Sequence, residues 1–173
     1  AAETGGKIWT STNSGSSWTA DTSISAVQDF NCVASSSDGT TLAAIVWNGD
    51  IWVSTNSGNT WSQVTSIGST KQWLHVTVSS DGLKMSATVL GGKIWASENS
   101  GSSWSEVGST QDWRAIASSA DGTKLTAVVN NGKIWISANS GTTWTEASSA
   151  PSRTWRQVTM SANGRKMVAV VDN

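Results

Sequence analysis

The sequence contains no tyrosine, one phenylalanine, one cysteine and one histidine among its 173 residues. The single thiol, Cys32, cannot form a disulfide within the chain, so the cysteine content neither requires nor excludes an oxidising compartment. We interpret Cys32 as a small buried apolar residue. One cysteine and one histidine are too few to supply a typical metal site, and we expect neither a metal nor another cofactor.

Charge is also scarce, because only 13% of the residues are charged and the 11 basic and 12 acidic side chains nearly cancel. This balance indicates neither a nucleic acid nor an anionic membrane as a partner. The longest apolar runs, such as residues 42–47, are too short to span a bilayer, so we expect a soluble protein. The chain does not begin with Met, which fits either a removed signal peptide or trimming, and a secreted location is the favoured expectation.

Tryptophan is abundant, with twelve copies, and four of them end a repeated octapeptide. The octapeptide reads STNSGSSW from residue 11, STNSGNTW from 54, SENSGSSW from 97 and SANSGTTW from 137, so the copies are 43, 43 and 40 residues apart. Self-similarity at this period is typical of repeat architectures.

Each repeat contains four short strand signals, which we call strands A to D. An aromatic residue opens strand A, an Asp-Gly or Asn-Gly turn leads to strand B, a glycine turn leads to strand C, and the octapeptide leads to strand D. Four-stranded sheets with this period stack radially as propeller blades. The sequence therefore predicts one all-β domain, a four-bladed β-propeller of antiparallel blades at residues 154–173 plus 6–22, 28–65, 72–107 and 112–147.

The octapeptide is interpreted as the turn from strand C to strand D, in which the asparagine accepts backbone N–H bonds, the glycine takes a positive φ, and the tryptophan packs between blades. It resembles the Asp-box, or BNR repeat, of sialidase-like propellers, with Asn where that family has Asp. The resemblance implies a structural role for Ser11, Asn13, Gly15, Trp18, Ser54, Asn56, Gly58, Trp61, Ser97, Asn99, Gly101, Trp104, Ser137, Asn139, Gly141 and Trp144.

Residues 154–171 supply strands A and B of a repeat, and residues 7–20 supply strands C and D. We expect these halves to pair and close a four-bladed ring. Closure within one chain has an effective concentration of about millimolar, which favours a monomer. An eight-bladed dimer is the structural alternative if four blades are strained.

Enzymatic chemistry finds little support in the sequence. The resemblance implies that a sialidase would need a tyrosine nucleophile, and this chain has none, so we expect no sialidase activity. A glycoside hydrolase would need two carboxylates about 5–10 Å apart, for which Asp29, Asp50, Asp112 and Asp172 are the remaining candidates. Cys32 and His75 share one column of strand A and could form a nucleophile and base, but no third orienting group is apparent, and we interpret them as two tolerated substitutions at a half-buried column.

Length variation is confined to the connections from strand D to the next strand A, where the tryptophan-to-aromatic spacing is 12, 12, 9 and 11. Variable loops on an invariant scaffold are where binding usually resides. Eleven tryptophans and Phe30 fill three columns that we assign to the core, whereas Trp47 stands alone at a B–C turn. We expect a non-catalytic module binding a glycan or protein, or alternatively a hydrolase or a structural scaffold, with candidate ligand contacts at Trp47, Asp50, Lys7, Lys93, Lys133, Arg114, Arg153 and Arg156.

Overall fold

The computed structural model describes residues 1–172, and Asn173, the last residue of the blade predicted at 154–173, lies outside the described residues. The fold is all-β, as predicted. Its strands are β1 (Trp9–Thr10), β2 (Thr19–Ala20), β3 (Phe30–Ser35), β4 (Leu42–Gly49), β5 (Ile51–Ser54), β6 (Ser62–Gln63), β7 (Lys71–Val78), β8 (Met85–Val89), β9 (Gly92–Ser97), β10 (Ser105–Gln111), β11 (Trp113–Ser118), β12 (Leu125–Val129), β13 (Ile134–Ser137), β14 (Thr145–Glu146), β15 (Trp155–Met160) and β16 (Met167–Val171). No helix in this part of the chain could cross a bilayer.

Three complete blades follow one another along the chain. They are β3–β6, β7–β10 and β11–β14, and within each blade the successive strands pair antiparallel. The register repeats, since strand B alanines lie opposite strand C tryptophans in all three blades: Ala44 with Trp52, Ala87 with Trp95, and Ala127 with Trp135. This repetition and the antiparallel meanders confirm the propeller architecture, while the blade boundaries stay predictions.

Every strand A carries the same irregularity immediately after its aromatic residue. The register shifts between Phe30 and Cys32, and likewise after Trp73, Trp113 and Trp155. A bulge of this kind adds one residue to the strand and turns its side chain away from the regular alternation. Strand A of each blade also packs on strand A of the next, β3 on β7, β7 on β11 and β11 on β15.

Strand B lies at the centre of each complete blade and is buried on both faces. All five residues of β8 and of β12 are buried, which matches their continuous apolar and small-residue sequences. Between the first two blades, Ala43 and Ile45 of β4 share a core cluster with Val76 of β7. Stacked sheets therefore cover one another's faces, as the propeller prediction requires.

The assignment of all three tryptophan columns to the core was wrong at one end of the molecule. Trp9 and Trp18 are 38% and 50% exposed, whereas Trp73 and Trp113 are fully buried. The exposed pair belongs to the β1–β2 hairpin, which has no strands A and B of its own blade packed beside it. The strand C tryptophans of the complete blades are half-buried.

The two half-blades at the ends of the fold pair internally, β1 with β2 and β15 with β16. Hydrogen bonds between residues 154–171 and 7–20 are not among the strand pairs of residues 1–172. On β1 the corresponding edge bonds instead to the first residues of the chain, because Trp9 N donates to Ala1 O at 2.8 Å and Ala2 bridges to Ile8. Closure into a four-bladed ring therefore stays a prediction.

Candidate ligand-binding face

The blades present two opposite sets of connections. The A–B turns and the octapeptide C–D turns form what we call the turn face, and the B–C turns and D–A connections form the loop face. The turn face is the more regular, because the four octapeptides adopt one conformation. Their glycines have φ between +81° and +85°, and the serines immediately before them also have positive φ, between +55° and +60°.

Side-chain bonds explain that conformation. In each octapeptide the first serine accepts from the glycine N–H at 2.9–3.0 Å and donates to the asparagine Oδ1. The same Oδ1 accepts from the backbone N–H four residues further on, at 2.9–3.0 Å. The positive φ of the glycine was predicted. The positive φ of Ser14, Ser57, Ser100 and Ser140 was not, because serine gives no signal of its own for that conformation.

The octapeptides have asparagine where the Asp-box has aspartate, and the bonds of the asparagine amide group explain how asparagine serves at this position. Its Nδ2 donates to the hydroxyl of the residue four positions later in all four copies, as Asn56 does to Thr60 at 2.8 Å. An amide can thus satisfy the turn with one acceptor and one donor, without burying or balancing a charge.

The A–B turns complete the turn face. Asp38 and Asp121 each accept from a serine hydroxyl and from a backbone N–H two residues ahead. These bonds, the serine bond first, lower the pKa of both carboxyls to about 2. Neighbouring turns also bond to one another, since Ser37 N donates to Ser80 O, Ser80 N to Ala120 O, and Ala120 N to Ala162 O.

On the loop face, the residue that ends each strand B is anchored to the residue before the strand A aromatic. Trp47 N donates to Asp29 O at 2.9 Å, and the same bond runs from Leu90 N to Gln72 O, from Asn130 N to Asp112 O and from Asp172 N to Thr154 O. The backbone of this column is therefore fixed, while its side chains differ in every blade. An indole, an isobutyl group, an amide and a carboxylate occupy one repeated position.

The four D–A connections have four different structures. In the first, Asp21 caps a turn by accepting from Ser23 and from the N–H of Ile24, which is buried. The second contains a turn at Gly68, and the fourth contains Pro151. The third is no loop, because β10 continues to Gln111 with an irregularity after Val107. The loop face thus combines fixed anchors with variable geometry.

Trp47 and Asp50 lie at the junction of the first two blades. Trp47 is half-buried, belongs to none of the core clusters, and its backbone is opposite Gln72 of β7. Asp50 accepts from Gln63 Nε2 at 2.7 Å. Beside them Lys71 Nζ lies 5.0 Å from the ring centre of Trp95, a cation–π contact that the sequence analysis missed. We call Trp47, Asp50, Gln63, Lys71, Gln72 and Trp95 the junction patch.

Three of the six candidate cations form ion pairs. Lys93 lies 3.2 Å from Glu106, Lys133 lies 3.7 Å from Glu146, and Arg156 bonds to Asp172. Arg153 exchanges backbone bonds with Gly132 and its side chain is exposed. Lys7 is half-buried, and Arg114 carries a buried Nε without a partner. Half of the cations proposed as ligand contacts are thus already neutralised by a neighbouring carboxylate.

The possible catalytic groups do not form an activated pair. Burial raises the pKa of the Cys32 thiol and lowers the pKa of His75, so the thiol stays protonated and the imidazole neutral at pH 7. The Cys32 thiol contacts the Val33 carbonyl, not His75. Among the carboxylates, Asp112 accepts from Asn130 and Asp172 binds Arg156. Within residues 1–172, no three acidic, histidine or cysteine side chains are grouped as a metal site.

The chain matches no protein-family model and no curated protein. It is similar to solved β-propeller structures. An ancestral GH74 enzyme aligns over 98% of this chain and 25% of its own, with a TM-score of 0.73 and 18% identity. The GH74 enzyme of Niastella koreensis aligns over 76% of this chain and 20% of its own, with a TM-score of 0.59 and 22% identity.

A second group of similar structures is YCF48. YCF48 bound to D1 peptide aligns over 84% of this chain and 49% of its own, with a TM-score of 0.66 and 18% identity. YCF48 from Cyanidioschyzon merolae aligns over 84% of this chain and 51% of its own, with a TM-score of 0.64 and 14% identity. The chain therefore spans between a fifth and about half of the solved chains that it resembles, and the likeness establishes its propeller fold.

Proposed function

We propose that this protein is a non-catalytic propeller module that binds a glycan or a protein segment at its loop face, on an Asp-box-like scaffold. One observation carries the proposal. The turn face repeats one hydrogen-bonded geometry four times, whereas each D–A connection and each residue of the Trp47 column is different. Asymmetry on a regular scaffold is what a specific binding surface requires.

The junction patch is the part of this face best suited to a ligand. The half-buried indole of Trp47 lies near an ammonium, a carboxylate and two carboxamides, and the ammonium of Lys71 lies over the ring of Trp95. Aromatic faces can stack on a sugar ring or an apolar side chain, while these polar groups offer donors and acceptors of both kinds. One Lys71 and one Asp50 leave the patch without net charge, which favours a neutral polar ligand over a phosphate or a polyanion.

A protein segment is supported by the likeness to YCF48, which has been solved with a bound peptide. The likeness to GH74 enzymes raises a hydrolase as the second candidate. The paired carboxylates and the unactivated Cys32 and His75 favour binding over catalysis, and this is the reason for ranking the binding module first.

A glycan array and a library of unstructured peptides, probed with the same labelled protein, test the proposal. We expect binding that weakens at least tenfold in the Trp47→Ala variant and stays unchanged in Leu83→Ala, a control at an exposed leucine of the turn face. Binding that survives Trp47→Ala and Asp50→Asn together would place the ligand elsewhere. Hydrolysis of a chromogenic glycoside, abolished by Asp50→Asn or Asp112→Asn, would contradict the non-catalytic assignment.

A further inference from the structure

The junctions between complete blades follow one rule. The strand A residue two positions after the bulge packs against the preceding blade, and this residue is buried in the second, third and fourth blades: Val76 at 2%, Ile116 at 0% and Val158 at 4% exposure. On the other side of each junction, alternate residues of strand B face the following blade. These are also buried, including Ala43, Ile45, Thr88 and Val128.

The same two surfaces are exposed at the ends of the fold. Val33, which is equivalent to Val76, is 37% exposed on β3. On β16, Val168 and Val170 occupy the positions of Ala43 and Ile45, and they are 64% and 52% exposed. The β3 end therefore exposes the strand A surface that would pack on a preceding blade. The β16 end exposes the strand B surface that would pack on a following blade.

On the turn face, the hydrogen bonds between neighbouring A–B turns also stop at both ends of the fold. The series of backbone bonds between A–B turns runs from Ser37 to Ala162. Within residues 1–172 it stops there, because the Ala162 amide donates to no backbone carbonyl and the Ser37 carbonyl accepts from no backbone amide. A bond from Ala162 N to Ser37 O would continue the series by one step.

A groove lies beside the β1–β2 hairpin, which pairs with no strands A and B among residues 1–172. A cavity of about 530 Å³ lies between the β1–β2 hairpin and β3, and its walls include Trp9, Trp18, Val33, Leu42 and Trp61. In a complete blade this space belongs to strands A and B, which bring a tryptophan against the strand C tryptophan. Trp73 and Trp95 make such a contact at 6.3 Å between ring centres, and Trp113 and Trp135 make it at 6.1 Å. The corresponding partner of Trp9 is Trp155.

We propose that the exposed face of the β15–β16 hairpin docks into this groove on a second copy of the chain, so that two chains complete one another's missing blade and form an eight-bladed ring. Both composite blades are then equivalent, because the first copy offers its β15–β16 hairpin to the second and receives the second copy's hairpin in return. Such a twofold arrangement closes, leaving no free end for further growth.

A second copy is the occupant because the arc of one chain is open. Each strand A packs on the next from β3 to β15, but β15 does not pack in this way on β3. Within residues 1–172, the chain's own β15–β16 hairpin therefore does not fill the groove beside β3. In a pair of chains, each groove receives the hairpin of the other copy. The three junctions within each chain, β3 with β7, β7 with β11 and β11 with β15, do not change.

The repeat fixes the register of the new pairing. Thr126 lies opposite Ile136 and Val128 opposite Ile134 in the third blade, so Val168 should lie opposite Thr10 and Val170 opposite Ile8 of the other copy. Ala1 and Ala2 now bond to the part of this edge formed by Ile8 and Trp9. Docking therefore displaces Ala1 and Ala2, while Thr10 and Ser11 gain a strand neighbour.

Light scattering coupled to size-exclusion chromatography gives the first test. The expected mass is twice the 18.1 kDa of one chain, returning to one chain in the Val168→Asp/Val170→Asp variant. The matched control is Val27→Asp, because Val27 is also 64% exposed but lies on a D–A connection. A wild-type mass of one chain at all concentrations would overturn the proposal, and so would a dimer that survives the double substitution.

Disulfide trapping distinguishes pairing between copies from pairing within one chain. In a Cys32→Ser background, a Thr10→Cys chain is mixed with a Val168→Cys chain and oxidised, and a cross-linked product of two chains is expected. The Thr126→Cys/Ile136→Cys chain, at the equivalent register, serves as the intrachain positive control that sets the oxidation conditions. If the Thr10→Cys/Val168→Cys double variant links only within single chains, or if no link forms under conditions that join the control pair, the proposal is wrong.

Discussion

The two faces of this propeller are built from segments of similar composition and yet behave differently. The four octapeptides on the turn face agree to 0.1 Å in their serine-to-glycine bonds, whereas the D–A connections on the loop face share no single structure. The octapeptide is defined by bonds between side chains and backbone within eight residues, so its local sequence determines its shape. The connections depend on what each one packs against. The regularity of the octapeptide turns therefore follows from local bonding.

Gly101→Ala should have the largest effect on the turn face. Gly101 has a φ of +81°, and an added Cβ would lie 2.7 Å from Val53 Cγ2 in the neighbouring blade. Backbone strain and overpacking together are expected to lower the free energy of unfolding by about 2–5 kcal/mol. Gly15→Ala is the control, since its Cβ would meet nothing nearer than 3.9 Å. Denaturant unfolding should show at most about half the loss in Gly15→Ala, and equal losses would mean that the inter-blade contact is unimportant.

Trp52→Ala and Trp47→Ala compare a scaffold residue with a loop-face residue five positions away. Trp52 packs against the cluster that contains Ile8, Phe30 and Trp61, so its removal should cost about 3 kcal/mol. Trp47 belongs to no core cluster and should cost about 1 kcal/mol or less. Thermal melts measure both. If Trp47→Ala unfolds the protein as readily as Trp52→Ala, Trp47 is part of the scaffold.

The A–B turns that contain Asp38, Asp81 and Asp121 should respond to pH, because hydrogen bonds lower the pKa of each carboxyl, whereas the A–B turn of the last blade should not respond. Because the folded pKa of Asp38 and Asp121 is depressed to about 2 from 3.8, their stabilising bonds are complete above pH 4 and are lost as the pH falls through 2. In the last blade Asn163 accepts the same bonds from Ser161 and from the Arg165 amide. The amide NMR shift of Thr40 should change with a midpoint near pH 2. The amide shift of Arg165 should show no such change, because its acceptor Asn163 does not ionise. A Thr40 midpoint near 3.8 would contradict the bonding described.

Asn56→Asp should have the smallest effect. The substitution keeps the Oδ1 acceptor for the Thr60 N–H and removes only the Nδ2 donor, after which the Thr60 hydroxyl can donate in its place. We expect a change within about 0.5 kcal/mol in denaturant unfolding. A loss of several kcal/mol would show that the amide proton, and not the acceptor, holds the turn.

The sequence was sufficient for the features that local chemistry determines. The period, the order of strands, the positive φ of Gly58 and the stacking of blades all followed from turn residues and tryptophan spacing. Features that depend on neighbouring segments were not accessible. No sequence pattern indicates that Lys71 lies over Trp95, that Ala1 and Ala2 occupy the edge of β1, or that Trp9 and Trp18 are exposed, because each of these features depends on which strand lies alongside.

The candidate site was predictable only as a face. Variable D–A lengths located it, and Trp47 stood out because no other repeat has an aromatic there. The cations were misleading, since formal charge in a sequence does not reveal that Lys93 meets Glu106 or that Arg156 meets Asp172. Arg114 and Arg156 also stand at the bulge after the strand A aromatic, a backbone irregularity that alternation alone does not predict.

Insertion tolerance tests the contrast between the faces most directly. A Gly-Ser-Gly-Ser segment is inserted between Ser69 and Thr70 on the loop face, and separately between Asn56 and Ser57 on the turn face, and both thermal melts are recorded. The loop insertion lengthens an exposed connection and should cost about 0.5 kcal/mol. The turn insertion separates Ser54 and Asn56 from Gly58 and Thr60, breaking at least two of the bonds that define the octapeptide, and should lower the melting temperature far more. Equal destabilisation by the two insertions would contradict the division into a fixed turn face and a variable loop face.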